Sequence, residues 1–229
     1  RLVGSEMCIR DSVKGVHLIP ADMIAGQIRS FFGDVGADCI KIGMLYSKNI
    51  IRLVAGILDE YSSIPVVVDP VMVTSSGDKL LEEDAVQAYK DYLFPRASIL
   101  TPNKKEAEWL CGKELNEGNI EECLKDLSRW GNSVIIKSVE NRDFFIDYYY
   151  NPVEKVMKVY KKEGIRTRNV NGTGDSFASA IATFLSKGYG IEFAVAEAER
   201  FIQQSIELGA RFKFGRGFGP VYPYYEVQE

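Results

Sequence analysis

Histidine is almost absent from the 229-residue chain, which contains His17 alone, and the four cysteines (Cys8, Cys39, Cys111 and Cys123) include no CxxC pair. With one histidine, a serine–histidine catalytic triad or a multi-histidine metal site is not expected. The spacing of the cysteines favours reduced, packed thiols over a disulfide framework or a zinc site. Reduced thiols are typical of the cytoplasm, so we predict a cytoplasmic protein.

Long apolar runs and an excess of basic charge are also missing. No run approaches the roughly 20 apolar residues that a membrane-spanning helix requires. The 28 Lys and Arg residues are outnumbered by 32 Asp and Glu residues, which gives a net charge of -4. We therefore expect neither a membrane nor a nucleic acid as a partner. The length and the hydrophobic fraction of 46% suit one globular domain with a sizeable core.

Two common phosphate-binding motifs, GxxxxGK[ST] and a strand-linked GxGxxG, do not occur in the chain. The glycine-rich segment is instead NGTGDSF at 171–177, directly before an apolar helical pattern. Glycine lets backbone N–H groups approach a ligand closely, and the helix dipole favours an anion at that point. Thr173 adds a hydroxyl group to this predicted anion site.

Asp175 follows the two glycines of this segment, Gly172 and Gly174. A carboxylate at this point could accept the proton of a substrate hydroxyl while the backbone N–H groups hold a transferring phosphoryl group. The alternative is that Asp175 is only an N-cap and that the glycines only shape the turn.

Helices and strands alternate along the chain. Periodic apolar residues predict helices at 20–33, 49–61, 84–93, 104–111, 120–130, 176–187 and 191–208. Short β-branched runs predict strands at 38–45, 64–72, 98–103 and 132–138, followed by an antiparallel pair, FFIDYYY and EKVMKVYKK. This order predicts an α/β fold in which helices cover both faces of a mostly parallel sheet.

Ligands of such sheets bind at the carboxyl ends of the strands. Five polar or glycine-rich segments lie at predicted strand ends or at the next helix start, namely IGM, DPVM, TPNKKE, KSVEN and NGTGD. We therefore expect these five segments to meet at one edge of the sheet and to form a site there.

Six sequence blocks occur in the order and spacing of a known family. They are KIGML (41–45), VVVDPVMVTSSGDKLL (66–81), TPNKKEAEWL (101–110), VIIKS (134–138), NGTGDSF (171–177) and GRGFGPV (215–221). Together they closely resemble the bacterial hydroxymethylpyrimidine/phosphomethylpyrimidine kinases of thiamine biosynthesis, in the ribokinase superfamily. The resemblance implies a three-layer α/β/α sandwich, a small-molecule substrate, ATP and Mg²⁺ as cofactors, and commonly a homodimer.

The first twelve residues, RLVGSEMCIRDS, look like translated library-adapter sequence rather than part of a fold. We therefore expect a non-native leader at 1–12 and a single kinase domain at 13–229. The first strand of the family, its glycine-rich turn and its pyrimidine-reading glutamine have no counterpart in the sequence. On this interpretation the domain lacks its N-terminal strand or strands.

The resemblance implies a catalytic role for the glycine-rich segment. Asp175 occupies the position after GTG, which implies the catalytic base toward the substrate hydroxymethyl group or phosphate. Gly172, Thr173 and Gly174 would form the anion hole around the transferred phosphoryl group, and Thr173 would also contact the nucleotide.

The resemblance also implies an ATP and Mg²⁺ site on the neighbouring strand ends. Asn103 and Glu106 match an NxxE motif that organises Mg²⁺ and the phosphates of ATP, and Lys137 matches a lysine that reaches those phosphates. Asp69 belongs to the same acidic environment, so Asp69 and Glu106 are the predicted metal ligands. Hard carboxylate oxygens suit Mg²⁺. The alternatives are that Glu106 is a solvated first-turn glutamate and Lys137 a solvated strand-end charge.

Three further residues are implied to contact the substrate. Gly43 and Met44 of KIGML and Val71 of DPVM match positions that lie against the pyrimidine. The alternative for Met44 and Val71 is ordinary packing in the core.

Two departures from the family keep other functions open. Most pyrimidine kinases of this type have Cys after GTG, whereas Asp175 is typical of pyridoxal and sugar kinases, and KSVEN at 137–141 replaces the usual KGGH. The predicted function is ATP-dependent phosphorylation of 4-amino-5-hydroxymethyl-2-methylpyrimidine and then of its monophosphate. Pyridoxal kinase is one alternative, and a catalytically silent vitamin-binding homologue is another.

Overall fold

The computed structural model describes residues 6–9, 12–72, 84–141, 144–213 and 215–223, with side chains described from residue 17 onward except at 140–141. Residues 1–5, 10 and 11 of the predicted leader lie outside the described residues. So do residues 73–83, which include the second half of the VVVDPVMVTSSGDKLL block.

The strands of the described residues form one large sheet and two small pairs. Their bounds are β1 Glu6–Ile9, β2 Ser12–Val16, β3 Ile40–Ile42, β4 Val66–Val68, β5 Ile99–Leu100, β6 Ser133–Asn141, β7 Phe144–Asn151, β8 Val156–Glu163, β9 Asn169–Asn171 and β10 Gly219–Pro220. The large sheet has the order β3-β4-β5-β6-β7-β8, parallel from β3 to β6 and antiparallel from β6 to β8. The predicted mostly parallel sheet with its antiparallel pair is confirmed. Outside it, β1 pairs with β2 and β9 with β10.

Helices cover both faces of this sheet. Their bounds are α1 Ala21–Asp34, α2 Lys48–Leu58, α3 Ala85–Ala88, α4 Lys104–Cys111, α5 Ile120–Leu127, α6 Thr173–Ser186 and α7 Ile191–Gly209. Successive strand residues point to opposite faces. Val66 and Val68 accordingly join a hydrophobic cluster with α2 to α5, whereas Val67 joins a second cluster with α6 and α7. The predicted three-layer α/β/α sandwich is confirmed.

The first three parallel strands are shorter than predicted, whereas β6 runs to Asn141, beyond the predicted end at 138. β4 covers only Val66–Val68 of the predicted 64–72 and is fully buried. The helix predicted at 84–93 is a four-residue α-helix followed by a wider helical turn, Tyr89–Leu93. A 3₁₀ turn, Phe94–Arg96, follows directly and includes Pro95 in its first turn, where the missing N–H group of proline is tolerated.

One expectation from the cysteines is wrong. Cys111, the last residue of α4, forms a disulfide with Cys123 of α5, with 5.9 Å between their Cα atoms. The two residues are 12 positions apart, and only the packing of two separate helices brings them together. Cys39 is a free, half-buried thiol, and burial raises its pKa to about 11.

Reduction of this disulfide is expected to lower the free energy of unfolding by about 3 kcal/mol, because it frees a loop of this length in the unfolded chain. Urea unfolding with and without a phosphine reductant measures the difference. In the Cys111→Ser/Cys123→Ser double variant the reductant should change nothing. Equal stability of the original chain under both conditions would show that these thiols are unpaired in solution.

Candidate active site

A buried ion pair lies at the carboxyl edge of the sheet. The Lys137 Nζ, from β6, is 2.9 Å from the Oδ1 of Asp69, which directly follows β4. The hydroxyl of Thr101, after β5, donates to the same oxygen at 2.9 Å. All three side chains are buried, so the alternative of a solvated strand-end charge at Lys137 is wrong. The ends of β4 and β5 and the middle of β6 thus meet, and they bring together three of the segments that the sequence places at one edge.

The N-terminus of α4 brings a second carboxylate to this pair. Asn103 is the N-cap, its Oδ1 accepts from the Glu106 N–H at 3.0 Å, and Glu106 Oε2 accepts from the Asn103 N–H at 2.8 Å. This reciprocal arrangement is a capping box. Glu106 is 3% exposed, so it is not a solvated first-turn glutamate.

Burial and the neighbouring charges have opposite effects on the pKa values of Glu106 and Lys137. Burial raises the pKa of Glu106 to about 7, although Lys137 partly counteracts the shift. Burial alone would lower the pKa of the Lys137 ammonium, but the charges of Asp69 and Glu106 outweigh it and raise that pKa. Lys137 is therefore a permanent buried cation beside two carboxyl groups.

The NGTGD segment begins α6 earlier than predicted. The helix begins at Thr173 rather than Ser176, and Gly172 is its N-cap with a left-handed backbone (φ 81°) that favours glycine. Asp175 is the third helical residue, so the reading of Asp175 as an N-cap is wrong. The first backbone N–H groups of a helix have no acceptor within it. Thr173 donates its hydroxyl to the Val170 carbonyl at 2.6 Å, which holds the turn in shape.

The start of α6 packs directly against the ion pair. A Cβ atom at Gly174 would lie 3.4 Å from Lys137 Nζ and 3.8 Å from Asp69 Oδ2. Both distances are ordinary van der Waals separations, so the backbone at the start of α6 lies directly beside these two groups. The free N–H groups of α6 and the Lys137 ammonium consequently face one small region, which suits an anion.

Asp175 lies on the open side of this region. Its side chain is 70% exposed, and its Oδ1 accepts a hydrogen bond from Lys41 Nζ of β3 at 3.0 Å. A Cβ atom at Gly43 would come 3.2 Å from the same Lys41 nitrogen. The KIGML and NGTGD segments therefore meet, as predicted from their strand ends.

The exit of β3 is held by a buried tyrosine. The Tyr89 hydroxyl donates to the Gly43 carbonyl and accepts from the Leu45 N–H, both at 2.9 Å. Met44 lies between these two residues, is half-buried and packs against the core below the site. Val71 is half-buried two residues after Asp69. Core packing thus accounts for part of the Met44 surface, and substrate contact by Gly43, Met44 and Val71 remains a prediction.

Replacing Tyr89 with Phe is expected to lower the free energy of unfolding by about 1–3 kcal/mol, because it leaves the Leu45 N–H without its acceptor. The KM for the acceptor substrate should rise with it, since the β3 exit loses its support. Urea unfolding and steady-state kinetics measure the two effects. Tyr92→Phe, on the same helical segment, is the control and should change neither.

The oxygen donors of the site fit Mg²⁺ shared with a nucleotide. Mg²⁺ in proteins commonly takes one or two carboxylates together with phosphate oxygens and water. Asp69 and Glu106 provide two neighbouring carboxyl groups. Within the described ranges, no group of three or more His, Cys, Asp or Glu side chains is placed to hold a metal ion. The residues therefore suit a metal bound jointly with phosphate rather than one enclosed by the protein alone.

Three residues of this site were not singled out from the sequence: Lys41, Thr101 and Tyr89. Lys41 and Thr101 lie in the KIGML and TPNKKE blocks at strand ends, and that position was the available signal. Tyr89 lies in a helical segment far along the chain from Gly43, so no local pattern indicates its contact.

The fold has three layers, and a buried lysine–aspartate pair packs against a helix whose N-cap is glycine. Together these features define a ribokinase-like phosphotransferase. The chain belongs to the phosphomethylpyrimidine kinase family, whose profile matches residues 8–222. The predicted family and enzyme class are confirmed.

Curated relatives of the chain carry matching names. A hydroxymethylpyrimidine/phosphomethylpyrimidine kinase of Mycobacterium tuberculosis is 33% identical over 94% of this chain and 78% of its own length. The thiamine biosynthesis bifunctional protein ThiED of Geobacter sulfurreducens is 37% identical over 91% of this chain. The matched part is 42% of the length of that bifunctional protein.

Solved structures agree on the fold. The phosphomethylpyrimidine kinase of Clostridium difficile 630 has a TM-score of 0.75 and 30% identity, covering 88% of this chain and 83% of that one. The pyridoxal kinase of Staphylococcus aureus in complex with AMP-PCP and pyridoxal has a TM-score of 0.81 and 27% identity, covering 94% and 78%. Among the described helices, none combines the length and apolar character needed to cross a membrane.

Proposed function

We propose that the protein transfers the γ-phosphoryl group of ATP to the hydroxymethyl group of 4-amino-5-hydroxymethyl-2-methylpyrimidine, and then phosphorylates the monophosphate, in thiamine biosynthesis. The observation that carries this proposal is the packing of Gly174 against the buried Lys137–Asp69 pair. The cation and the helix N-terminus that meet at this contact would stabilise the negative charge of a transferring phosphoryl group. The names of the relatives support the pyrimidine as acceptor.

Asp175 is the catalytic base of this proposal. It lies one residue after Gly174, so its carboxylate can reach an acceptor hydroxyl beside the phosphoryl position. Lys41 holds one carboxylate oxygen at 3.0 Å and leaves the other for the proton. The exposure of Asp175 gives a substrate direct access to it. Gly172 and Thr173 shape the turn that presents the backbone N–H groups.

The nucleotide and the metal are assigned to the buried half of the site. Lys137, Asn103 and Thr173 would contact the phosphates of ATP, and Asp69 and Glu106 would hold Mg²⁺. Bound there, Mg²⁺ would neutralise charge on the phosphate oxygens. Burial raises the pKa of Glu106, because an isolated negative charge is unfavourable away from water. A bound cation would stabilise the ionised form of this carboxylate.

Pyridoxal is the second candidate acceptor, and Asp175 is the observation that favours it. The structural neighbours include the Staphylococcus aureus enzyme solved with pyridoxal. The pyrimidine ranks first because the family profile and the curated relatives name it. Action in the cytoplasm, assembly as a homodimer and the absence of a nucleic-acid partner remain predictions.

Mass spectrometry of the reaction products tests the proposal. The chain is incubated with ATP and MgCl₂ and with either hydroxymethylpyrimidine or pyridoxal. Pyrimidine monophosphate followed by diphosphate is the expected result. Pyridoxal phosphate alone would assign the activity to the second candidate. No product from either acceptor, with AMP-PCP still bound, would support a silent vitamin-binding homologue.

A further inference from the structure

Strand β6 is irregular at the active-site lysine. Ile136 lies opposite Tyr148 of β7, and Val139 lies opposite Ile146. Two residues, Lys137 and Ser138, therefore face the single residue between Ile146 and Tyr148, which is Asp147. An extra residue on one strand is a β-bulge, and bulges redirect side chains beside active sites.

The bulge is held by a side chain of the neighbouring strand rather than by that strand's backbone. Ser138 has a left-handed backbone (φ 59°), which is unfavourable for a residue other than glycine. Its N–H group donates to the Oδ1 of Asp147 at 2.7 Å. On the other side, the Lys137 N–H donates to the Pro102 carbonyl at 2.9 Å. The backbone at Lys137 and Ser138 is thus fixed between the segment that follows β5 and the Asp147 carboxylate.

Asp147 is itself held by two partners outside the active site, the half-buried Lys162 and the buried Glu199. Its Oδ2 is 2.7 Å from Lys162 Nζ of β8, and the same ammonium is 2.6 Å from the Oε2 of Glu199 in α7. Asp147 and Glu199 are 2% and 6% exposed. Burial and the Asp147 charge raise the pKa of Glu199 to about 8. A protonated Glu199 leaves one anion and one cation, so the cluster is close to neutral.

We propose that Asp147, held by Lys162 and Glu199, is a positioning residue that fixes the Ser138 bulge and thereby aims the Lys137 ammonium at Asp69 and Gly174. This inference rests on the proposed function, in which Lys137 contacts the phosphates of ATP. Without the Asp147 acceptor, Ser138 relaxes out of its left-handed conformation. Lys137, the adjacent residue, then loses its direction, and misplacement by about 1 Å costs about 10²-fold in rate.

Asp147→Ala is expected to lower kcat/KM for ATP by about 10–100-fold, to weaken AMP-PCP binding, and to leave the KM for the acceptor unchanged. Hydrogen exchange at the Ser138 amide should accelerate at least tenfold. Asp147→Asn keeps an oxygen that accepts from Ser138, and Glu199 can ionise to balance Lys162. The Asn variant should therefore restore kcat/KM to within a few-fold of the original.

Asn151→Ala is the matched control. Asn151 lies on the same strand, is also buried, and its side-chain oxygen also accepts backbone N–H groups, from Val153 and Glu154. It is four residues from Asp147, about 13 Å along the strand. The control should lower the melting temperature without changing kcat/KM for ATP. Equal kinetic losses in the Asn151 and Asp147 variants would overturn the proposal.

A second variant covers the case in which Asp147→Ala fails to fold. Apolar residues of similar size often replace a buried ionic triad without loss of stability. The triple variant Asp147→Leu/Lys162→Met/Glu199→Leu removes the Ser138 acceptor and should show the same loss of AMP-PCP affinity. Unchanged affinity and unchanged Ser138 exchange would refute the positioning role. Both readouts apply even if the protein phosphorylates neither candidate acceptor, so the two proposals fail separately.

Discussion

Replacing Asp175 with Asn is expected to lower kcat by roughly 10²–10⁴ while ATP binding stays intact. The amide has nearly the shape of the carboxylate but cannot take the proton of an acceptor hydroxyl. The side chain is exposed and its partner Lys41 lies on the surface side of the site, so stability should change little. Steady-state kinetics with hydroxymethylpyrimidine and calorimetric titration with AMP-PCP measure the two quantities.

The control for this substitution is Asp22→Asn. Asp22 is likewise an exposed aspartate in the first turn of a helix, α1, and it lies outside the site. Both aspartates place a negative charge in the first turn of a helix, where it interacts with the helix dipole. If that interaction were the whole role of Asp175, both variants would show the same small change in stability and no change in kcat. Unchanged turnover in Asp175→Asn would contradict its assignment as the base.

The second large effect is expected from Lys137→Met. The substitution leaves Asp69 as an uncompensated buried charge, which costs about 3–5 kcal/mol of unfolding free energy. It also removes a preorganised cation from the phosphoryl position, and loss of one such group lowers kcat by about 10²–10³-fold. Urea unfolding and kinetics at saturating ATP measure these effects separately.

A double variant separates stability from catalysis. In Lys137→Met/Asp69→Asn the Asp69 charge is removed together with its partner, and the Thr101 hydroxyl can still donate to the Asn oxygen. Glu106 can stay protonated without a facing cation, because burial raises its pKa. Stability should therefore return to near the original value, whereas activity should stay low. Recovery of activity along with stability would show that Lys137 acts only through folding.

Much of the site was predictable because parallel strands end at one edge. Asp69, Asn103 and Lys137 follow or end β-branched runs that the sequence shows clearly, and the structure brings them together. The capping box of Glu106 also follows from the NxxE spacing, since its two members are three residues apart on one helix.

Contacts that depend on side-chain reach or on packing between distant elements were not predictable. The Lys41–Asp175 pair joins residues 134 positions apart. The Cys111–Cys123 disulfide joins two helices, and no local sequence pattern indicates that they pack together. Positive φ angles are normally signalled by glycine, but Ser138 adopts one without it. The KSVEN sequence therefore gives no sign of the bulge at Lys137. The hydrogen bond from the Ser138 N–H to Asp147 explains it.

Competition between the two vitamin precursors tests the central claim most directly. The chain is supplied with limiting ATP and equal concentrations of hydroxymethylpyrimidine and pyridoxal, and the phosphorylated products are separated and quantified by mass spectrometry. The account predicts phosphorylated pyrimidine in large excess, and predicts that Asp175→Asn lowers its rate of formation by roughly 10²–10⁴-fold under the same conditions. Pyridoxal phosphate as the main product, or pyrimidine phosphate formed equally well by Asp175→Asn, would contradict the account.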